Sequence, residues 1–283
     1  LSLILGWFTI KQVSVVVKEK LDWIGWLLLS TFFVTGIFMI ERMSTHGFTN
    51  GYSIGLFVIM LGSILTYLWY AKREPSPLLD PQIFKFKTFS FSIAASFVTQ
   101  TVNLTFNYAI PMALQIVLFQ NAQVAGLALL PGALGYAFMA IVSGRLYDRY
   151  GAKLPIMIGL SLMMIGTLCM AILPLSVANM TLSFMIVQLG AGFWFGNNMT
   201  HAVSHVAVAH QNAGNSIFSA TNNYSAAVGI ALAAGVLAIF QNQAVDSKAA
   251  FVAATRAGTV WMFRLDILLI VIAGSLSLWA LRV

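Results

Sequence analysis

The chain has 283 residues, 59% of them hydrophobic and only 8% charged, with a mean hydropathy of +0.87. A soluble domain carries about 25% charged residues, so this composition excludes a soluble globular protein and implies an integral membrane protein. A net charge of +7 would suit a nucleic-acid binder, but the cations lie in short loops between apolar runs, which membrane topology explains better.

The chain begins at Leu1 inside an apolar stretch, 1–10, that is too short to span a bilayer. It lacks the basic start and small-residue cleavage site of a signal peptide, and reads as the tail of a span that begins upstream. By the length criterion of about 20 apolar residues, eight full spans follow, at roughly 22–41, 53–71, 89–118, 124–143, 154–173, 181–202, 216–240 and 264–281. The third is long, and Pro111 is expected to kink it. Orientation follows from the cations. With the segment before the first full span in the cytoplasm, eleven fall on that side (Lys11, Lys18, Lys20, Lys72, Arg73, Lys85, Lys87, Arg145, Arg149, Lys153, Arg282). Four fall outside, namely Arg42, Lys248, Arg256 and Arg264. This positive-inside bias puts the C-terminus in the cytoplasm. Trp23, Trp26, Trp69, Trp261 and Trp279 fall near the expected interfaces, as an aromatic belt requires. The single cysteine, Cys169, lies in an apolar run, which excludes a disulfide framework and a thiolate metal site.

One loop stands apart from the rest. Gly144-Arg-Leu-Tyr-Asp148-Arg149-Tyr-Gly151-Ala-Lys153 packs two glycines, an Asp and cations between two apolar runs. Its cations alone fit a topogenic loop. The glycines permit a sharp reversal, and Asp148 is expected just before the next helix, where free amides favour a carboxylate. The order Gly144, Leu146, Asp148, Arg149, Gly151 and Lys153 resembles the loop signature of the major facilitator superfamily; Ala152 departs from its second basic position. The resemblance implies a cytoplasmic gate, with the Asp at a helix N-terminus and the Arg pairing across it.

Four more stretches are similar to the fourteen-span drug/proton antiporter branch of that family, the EmrB/QacA type. They are Leu21-Asp22-Trp23-Ile24-Gly25; Arg73-Glu74-Pro-Ser-Pro77-Leu78-Leu79-Asp80 with Phe84 and Phe89; Leu114-Gln115 with Ala125-Gly126-Leu127 and Pro131; and 215–223, running into the small residues 226–235. The resemblance implies an all-α polytopic fold: 1–10 the end of a truncated span, 11–21 a cytoplasmic linker, 22–72 two linker spans, 73–88 a cytoplasmic loop and 89–283 a C-terminal six-helix transporter half. It also implies alternating access, with export of hydrophobic or cationic small molecules driven by a proton gradient and without a cofactor. The implied partners are the lipid bilayer and an N-terminal half not contained in this chain; nucleic acid is not one. The implied location is the cell membrane.

Polar groups inside spans usually face the bundle interior or a water-filled cavity. Gln100, Asn103 and Asn107 recur at helical spacing with Gln115 near their stripe, and, with Trp194, Asn197, Asn198, Asn222 and Asn223, they are the candidate wall of a substrate pathway. Helix–helix hydrogen bonding is the alternative use of the amides, and Trp194 is expected either to stack on substrate or to face lipid. Gly192 and Gly196, and Ala227, Ala231 and Gly235, are spaced for close helix approach. All eight acids (Glu19, Asp22, Glu41, Glu74, Asp80, Asp148, Asp246, Asp266) are expected at span ends or in loops. A proton-coupled transporter needs a titrating group within its pathway, so that group is expected in the other half.

Enzymatic readings are poorer. His201 and His205 are four apart, with His210 nearby, but a zinc hydrolase needs a third ligand and a general base, and no acid lies near. Ser204 lacks the glycine-rich elbow of a Ser–His protease, and there is no glycine-rich phosphate loop. A non-transporting scaffold or sensor is the other alternative, although no soluble effector domain is attached.

Overall fold

A computed structural model describes residues 22–46, 51–74, 77–207, 210–242 and 247–283. The expected span tail 1–10 and linker 11–21 lie outside them, as do Glu19 and Asp246. The described residues form an all-α, multi-pass membrane protein. In chain order the helices are α1 (Trp23–His46), α2 (Gly51–Ala71), α3 (Lys87–Met112), α4 (Ala122–Leu127), α5 (Leu130–Tyr150), α6 (Lys153–Ile172), α7 (Val177–Ser204), α8 (Gln211–Gln241) and α9 (Lys248–Ala280). Among the described residues seven stretches are long and apolar enough to cross a bilayer, α4 and α5 counting as one. The helix at the expected third span, α3, does not meet that apolar criterion. Its Ser, Thr and Asn side chains are largely buried inside the bundle, which removes from lipid the polarity that lowers its hydropathy.

Helix α3 is the axis of the bundle, packing on α8, α9 and α7, while α7 packs most extensively on α6 and α5. A core of Val102, Phe106, Ala109 and Ile110 from α3, Met163 from α6, Phe184 and Val187 from α7, and Phe263 and Ile270 from α9 joins four of these helices. Glycines set the separations. A Cβ on Gly159 would lie 2.7 Å from the Gly190 carbonyl oxygen, and one on Gly229 would overlap the carbonyl of Thr101. Small residues at helix interfaces let backbones meet in this way. Gly192 behaves as its spacing predicts, against the Tyr136 carbonyl, whereas a Cβ on Gly196 would meet nothing within 4 Å. In α8 the contact with α3 runs through Ser225 and Gly229, while Leu237 meets Gly258 of α9; of Ala227, Ala231 and Gly235 only Gly235 is buried.

Several boundaries differ from the sequence expectation, each for a local reason. Pro111 lies inside α3, and the helix continues through a π-helical turn, Ala113–Val117, in which the Gln115 side chain donates to the Pro111 carbonyl. The expected span 124–143 is broken before Pro131, which has no amide to bond the Leu127 carbonyl, and it then runs on to Tyr150. Gly151, at φ +75°, ends it in a conformation that suits glycine. The largest difference is α9. Its helix starts at Lys248, where the Ser247 hydroxyl accepts from the Ala250 amide at 3.1 Å, and runs for 33 residues. The alanine-rich segment before Arg264 has high helix propensity, which outweighs the break that its two arginines make in the hydropathy.

Helices α1 and α2 pair as a hairpin that leans on α8 through α1. Phe32 and Phe33 lie against the Tyr224 ring, with centroids 5.8 and 4.8 Å away. The end of the hairpin formed by the start of α1 and the end of α2 is tied by Asp22. Its carboxylate accepts from the Gly25 amide at 2.7 Å, capping α1, and also from the Tyr70 hydroxyl at 2.9 Å and the Leu78 amide at 3.1 Å. Asp22 and Leu78, 56 residues apart, therefore meet in one knot. Tyr67 closes it, donating to the Leu79 carbonyl and accepting from the Leu79 amide.

Candidate functional site

A cleft of about 410 Å³ opens between α3, α5, α7 and α8, lined by Gln100, Asn103, Tyr136, Gln188, Phe195, Gly196, Met199 and Asn222. Four of these are amides and none is charged. Helical spacing on α3 puts Gln100, Asn103 and Asn107 on one face, and Gln188 reaches them from α7. The amides form a directed chain. Asn107 Nδ2 donates to Asn103 Oδ1 at 3.2 Å and to the Asn103 carbonyl at 2.8 Å, and Asn103 Nδ2 donates to Gln188 Oε1 at 2.6 Å. On the far rim Ser96 Oγ donates to Asn222 Oδ1 at 3.0 Å. The arrangement offers fixed donors and acceptors around an otherwise apolar space, the pattern of a small-molecule site.

The candidate wall residues are only partly assembled here. Gln100, Asn103 and Asn222 line the cleft, and Asn107 is bonded to its edge. Gln115 is exposed on the π turn and Asn223 is exposed on α8, and neither lines the cleft. Asn197 and Asn198 are buried; Asn197 donates to the Phe193 carbonyl, and Asn198 to that of Ser92 across the α3–α7 contact. Trp194 neither lines the cleft nor faces lipid. It is fully buried against Ala95, Ile156 and Leu160, one helical turn from Asn198. Residues missed by the sequence argument include Tyr136, Phe195 and Met199, which are apolar or amphipathic and resemble ordinary lipid-facing positions. Gln188 carried a signal, a polar group inside a span.

The gate signature also sits differently from expectation. Gly144 to Arg149 form the last turns of α5, so Asp148 lies at a helix C-terminal end and not beside the start of α6 at Lys153. Asp148, Arg149, Gly151 and Lys153 are exposed, and the Arg149 guanidinium stands over the Tyr150 ring at 5.3 Å. Among the described residues Asp148 makes no ion pair. Ser143, just before the signature, ties α5 to α7 by donating to the Gly192 carbonyl at 3.1 Å. His201 and His205 stack edge to face at 4.5 Å, with ring nitrogens 3.4 and 2.8 Å from the carbonyl oxygens of Ala280 and His201. His210 faces Asp80 instead, at 3.2 Å.

The acids require one correction. Asp266 was expected at a span end, but the longer α9 carries it to about 21 Å from the Ala280 end and about 27 Å from the Lys248 end of the helix. It is fully buried, and Thr105 of α3 is bonded to it.

The sequence pattern of the Major Facilitator Superfamily matches residues 34–230 and 89–283, and the chain belongs to that family of membrane transporters. Among curated relatives, the lincomycin resistance protein LmrB of Listeria innocua is 24% identical over 251 residues, covering 87% of this chain and 53% of its own. The LmrB of Bacillus subtilis is 30% identical over 54% of this chain and 32% of its own length. The multidrug efflux pump LfrA of Mycolicibacterium smegmatis is 25% identical over 74% of this chain and 42% of its own. The chain therefore spans about half, or less, of the length of these relatives.

Proposed function

We propose that this chain supplies the C-terminal part of a fourteen-span, proton-driven exporter of hydrophobic or cationic small molecules, working by alternating access in the cell membrane. The observation that carries the proposal is the amide-lined cleft on α3, α5, α7 and α8, within residues 89–283. Transporters of this kind bind substrate where two repeats meet, and the cleft is the wall that this unit would present to an N-terminal half. The α1–α2 hairpin, bound to the unit at α8 and by the Asp22 knot, fits the role of the two linker spans. The relatives named for drug resistance and efflux support the substrate class. The loop cations support a cytoplasmic C-terminus.

In this mechanism the protein's own groups bind and reorient; no covalent chemistry or cofactor is needed. Gln188 Nε2, the open end of the amide chain, offers a donor to substrate oxygens, and Tyr136 and Phe195 offer ring faces to apolar or cationic groups. The 144–153 signature serves as the cytoplasmic gate, its exposed Asp148 and Arg149 available to the opposing half. The test is efflux of a lipophilic cationic dye from pump-deficient cells expressing the whole transporter. Asp148→Asn is expected to cut efflux while leaving membrane insertion intact, and Gln188→Leu to weaken export without abolishing it. Full efflux from a well-inserted Asp148→Asn variant would remove the gate assignment. Absence of dye efflux and of drug resistance in the unmodified transporter would leave a scaffold or sensor as the better reading.

A further inference from the structure

A second polar site lies on the opposite side of α3 from the cleft. Asp266 has no exposed surface; it is enclosed, with Val102, Phe106, Phe263 and Ile270 in the core near it. The Phe106 and Phe263 rings, next to Thr105 and one turn before Asp266, stack with centroids 5.6 Å apart. Among the described residues Asp266 makes no ion pair, and Thr105 is its one hydrogen-bond partner. The helices packed on α9 carry few groups that could bear charge: Lys87 and Tyr108 on α3, Lys153 and Cys169 on α6, and Tyr224 on α8. None of them is bonded to Asp266. On α9 itself Lys248, Arg256 and Arg264 are exposed or remote, and Arg264, two residues away, points to a different side of the helix.

The proton count at Thr105 decides the state of the acid. Its Oγ1 lies 3.0 and 2.9 Å from the two carboxyl oxygens of Asp266 and 2.7 Å from the Val102 carbonyl oxygen. A hydroxyl has one proton and two lone pairs. If that proton goes to Val102, an ionised Asp266 faces only lone pairs. If it goes to Asp266, the 2.7 Å contact between Thr105 Oγ1 and the Val102 carbonyl oxygen has no proton in it, although that carbonyl keeps its helix amide. Both contacts are satisfied when Asp266 brings a proton of its own.

We propose that Asp266 is a proton-binding site of this chain: in the conformation described, its carboxylic O–H donates to Thr105 Oγ1 and the Thr105 O–H donates to the Val102 carbonyl. The bond Asp266 O–H breaks when the proton leaves to water. The carboxylate that remains cannot stay in the enclosure, so the α3–α9 seam must open to admit water. Because α3 also carries Gln100 and Asn103, proton binding at Asp266 and the shape of the cleft act on one helix. Only this last link rests on the transporter reading; the protonation stands on the seam geometry.

The test is infrared spectroscopy of the protein in reconstituted membranes, with Asp266→Asn as the reference. The expected result is a protonated-carboxyl C=O band at neutral pH that Asp266→Asn removes and Thr105→Val shifts, since the variant cannot accept the acid's hydrogen bond. No difference between the unmodified protein and Asp266→Asn in that band would overturn the proposal. Hydrogen exchange of the 259–270 amides gives the second readout. It should rise at the alkaline pH that removes the band, and Asp266→Asn should abolish the rise. Exchange that ignores the loss of the band would overturn the opening of the seam. In the whole transporter, Asp266→Asn should abolish proton-driven export yet retain dye binding. If export persists in Asp266→Asn although the unmodified protein shows the band, the link to transport falls and the proton site stands.

Discussion

Helix α3 has two polar faces, and they solve the membrane problem in opposite ways. Gln100 and Asn103 line an open cleft with Asn107 at its edge; all three are neutral amides, and Asn107 donates to Asn103 and Asn103 to Gln188. Thr101 and Thr105 look into closed seams. Thr101 bonds to the carbonyls of Phe97 and, at 3.4 Å, Ser225, and Thr105 bonds to Asp266. The side with access to solvent carries no charge, and the sealed side holds the acid. An amide offers donors and acceptors without a charge to desolvate, so it can face a space that fills and empties. A carboxyl group can sit in a dry seam only with its proton or a partner.

Gly229→Leu and Gly196→Leu separate the two faces most sharply. At Gly229 the added side chain runs into the Thr101 carbonyl and the Leu104 Cβ, backbone and side-chain root that cannot move aside. Overpacking costs about 1–3 kcal/mol even where side chains can adjust, so the expectation is a large fall in the thermal midpoint in detergent, or loss of the monodisperse species. Gly196→Leu meets open space and lines the cleft. It should leave the midpoint nearly unchanged and block dye binding. Equal damage from both variants would mean that the cleft is not open.

Thr105→Val and Asn103→Leu come next. Each removes one partner from a buried polar pair, and a stranded buried group costs about 1–3 kcal/mol. Thr105→Val should fall at the upper end, because Asp266 then has no partner among the described residues. In the cleft, Gln188 can turn to water, so Asn103→Leu should cost less. A double-mutant cycle of Asn103 and Gln188, each to Leu, should return a coupling near the roughly 0.6 kcal/mol typical of interhelical polar pairs in membranes. A coupling of zero would mean that the 2.6 Å contact does not form in the folded protein.

Much of this fold was legible because a bilayer restricts a chain to few options. Apolar runs of spanning length and cations in short loops gave the span order, and period-3.6 spacing put Gln100, Asn103 and Asn107 on one face. What hydropathy missed has a common cause: it averages over a window and is blind to what a helix packs against. Asp266 looked like a span end because Arg256 and Arg264 lower the local average, while the backbone, capped at Ser247, stays helical through them. Trp194 looked like either a ligand platform or a lipid-facing ring because it lies away from both interfaces, but Gly159 opposite Gly190 makes the α6–α7 seam close enough to bury it. Tyr136 and Met199 gave no signal, since a residue lining a cleft in a membrane protein differs from one facing lipid only by what stands opposite.

The smallest expected effect lies at the rim where the two faces come closest. Ser96 is fully buried, yet its hydroxyl reaches Asn222, which lines the cleft. Ser96→Ala removes one oxygen and leaves the packing of α3 on α8 in place, so the change in stability should stay within about 0.5–1.5 kcal/mol, the net worth of one hydrogen bond. Asn222 then loses the donor that fixes its Oδ1. The amide becomes free to turn its NH₂ toward the cleft, exchanging an acceptor for a donor there. Dye binding should change more than stability does, and Ser96→Thr, which keeps the hydroxyl, should preserve it. If Ser96→Ala alters stability and leaves binding unchanged, Asn222 is a packing residue, and the open face of α3 ends at Gln100.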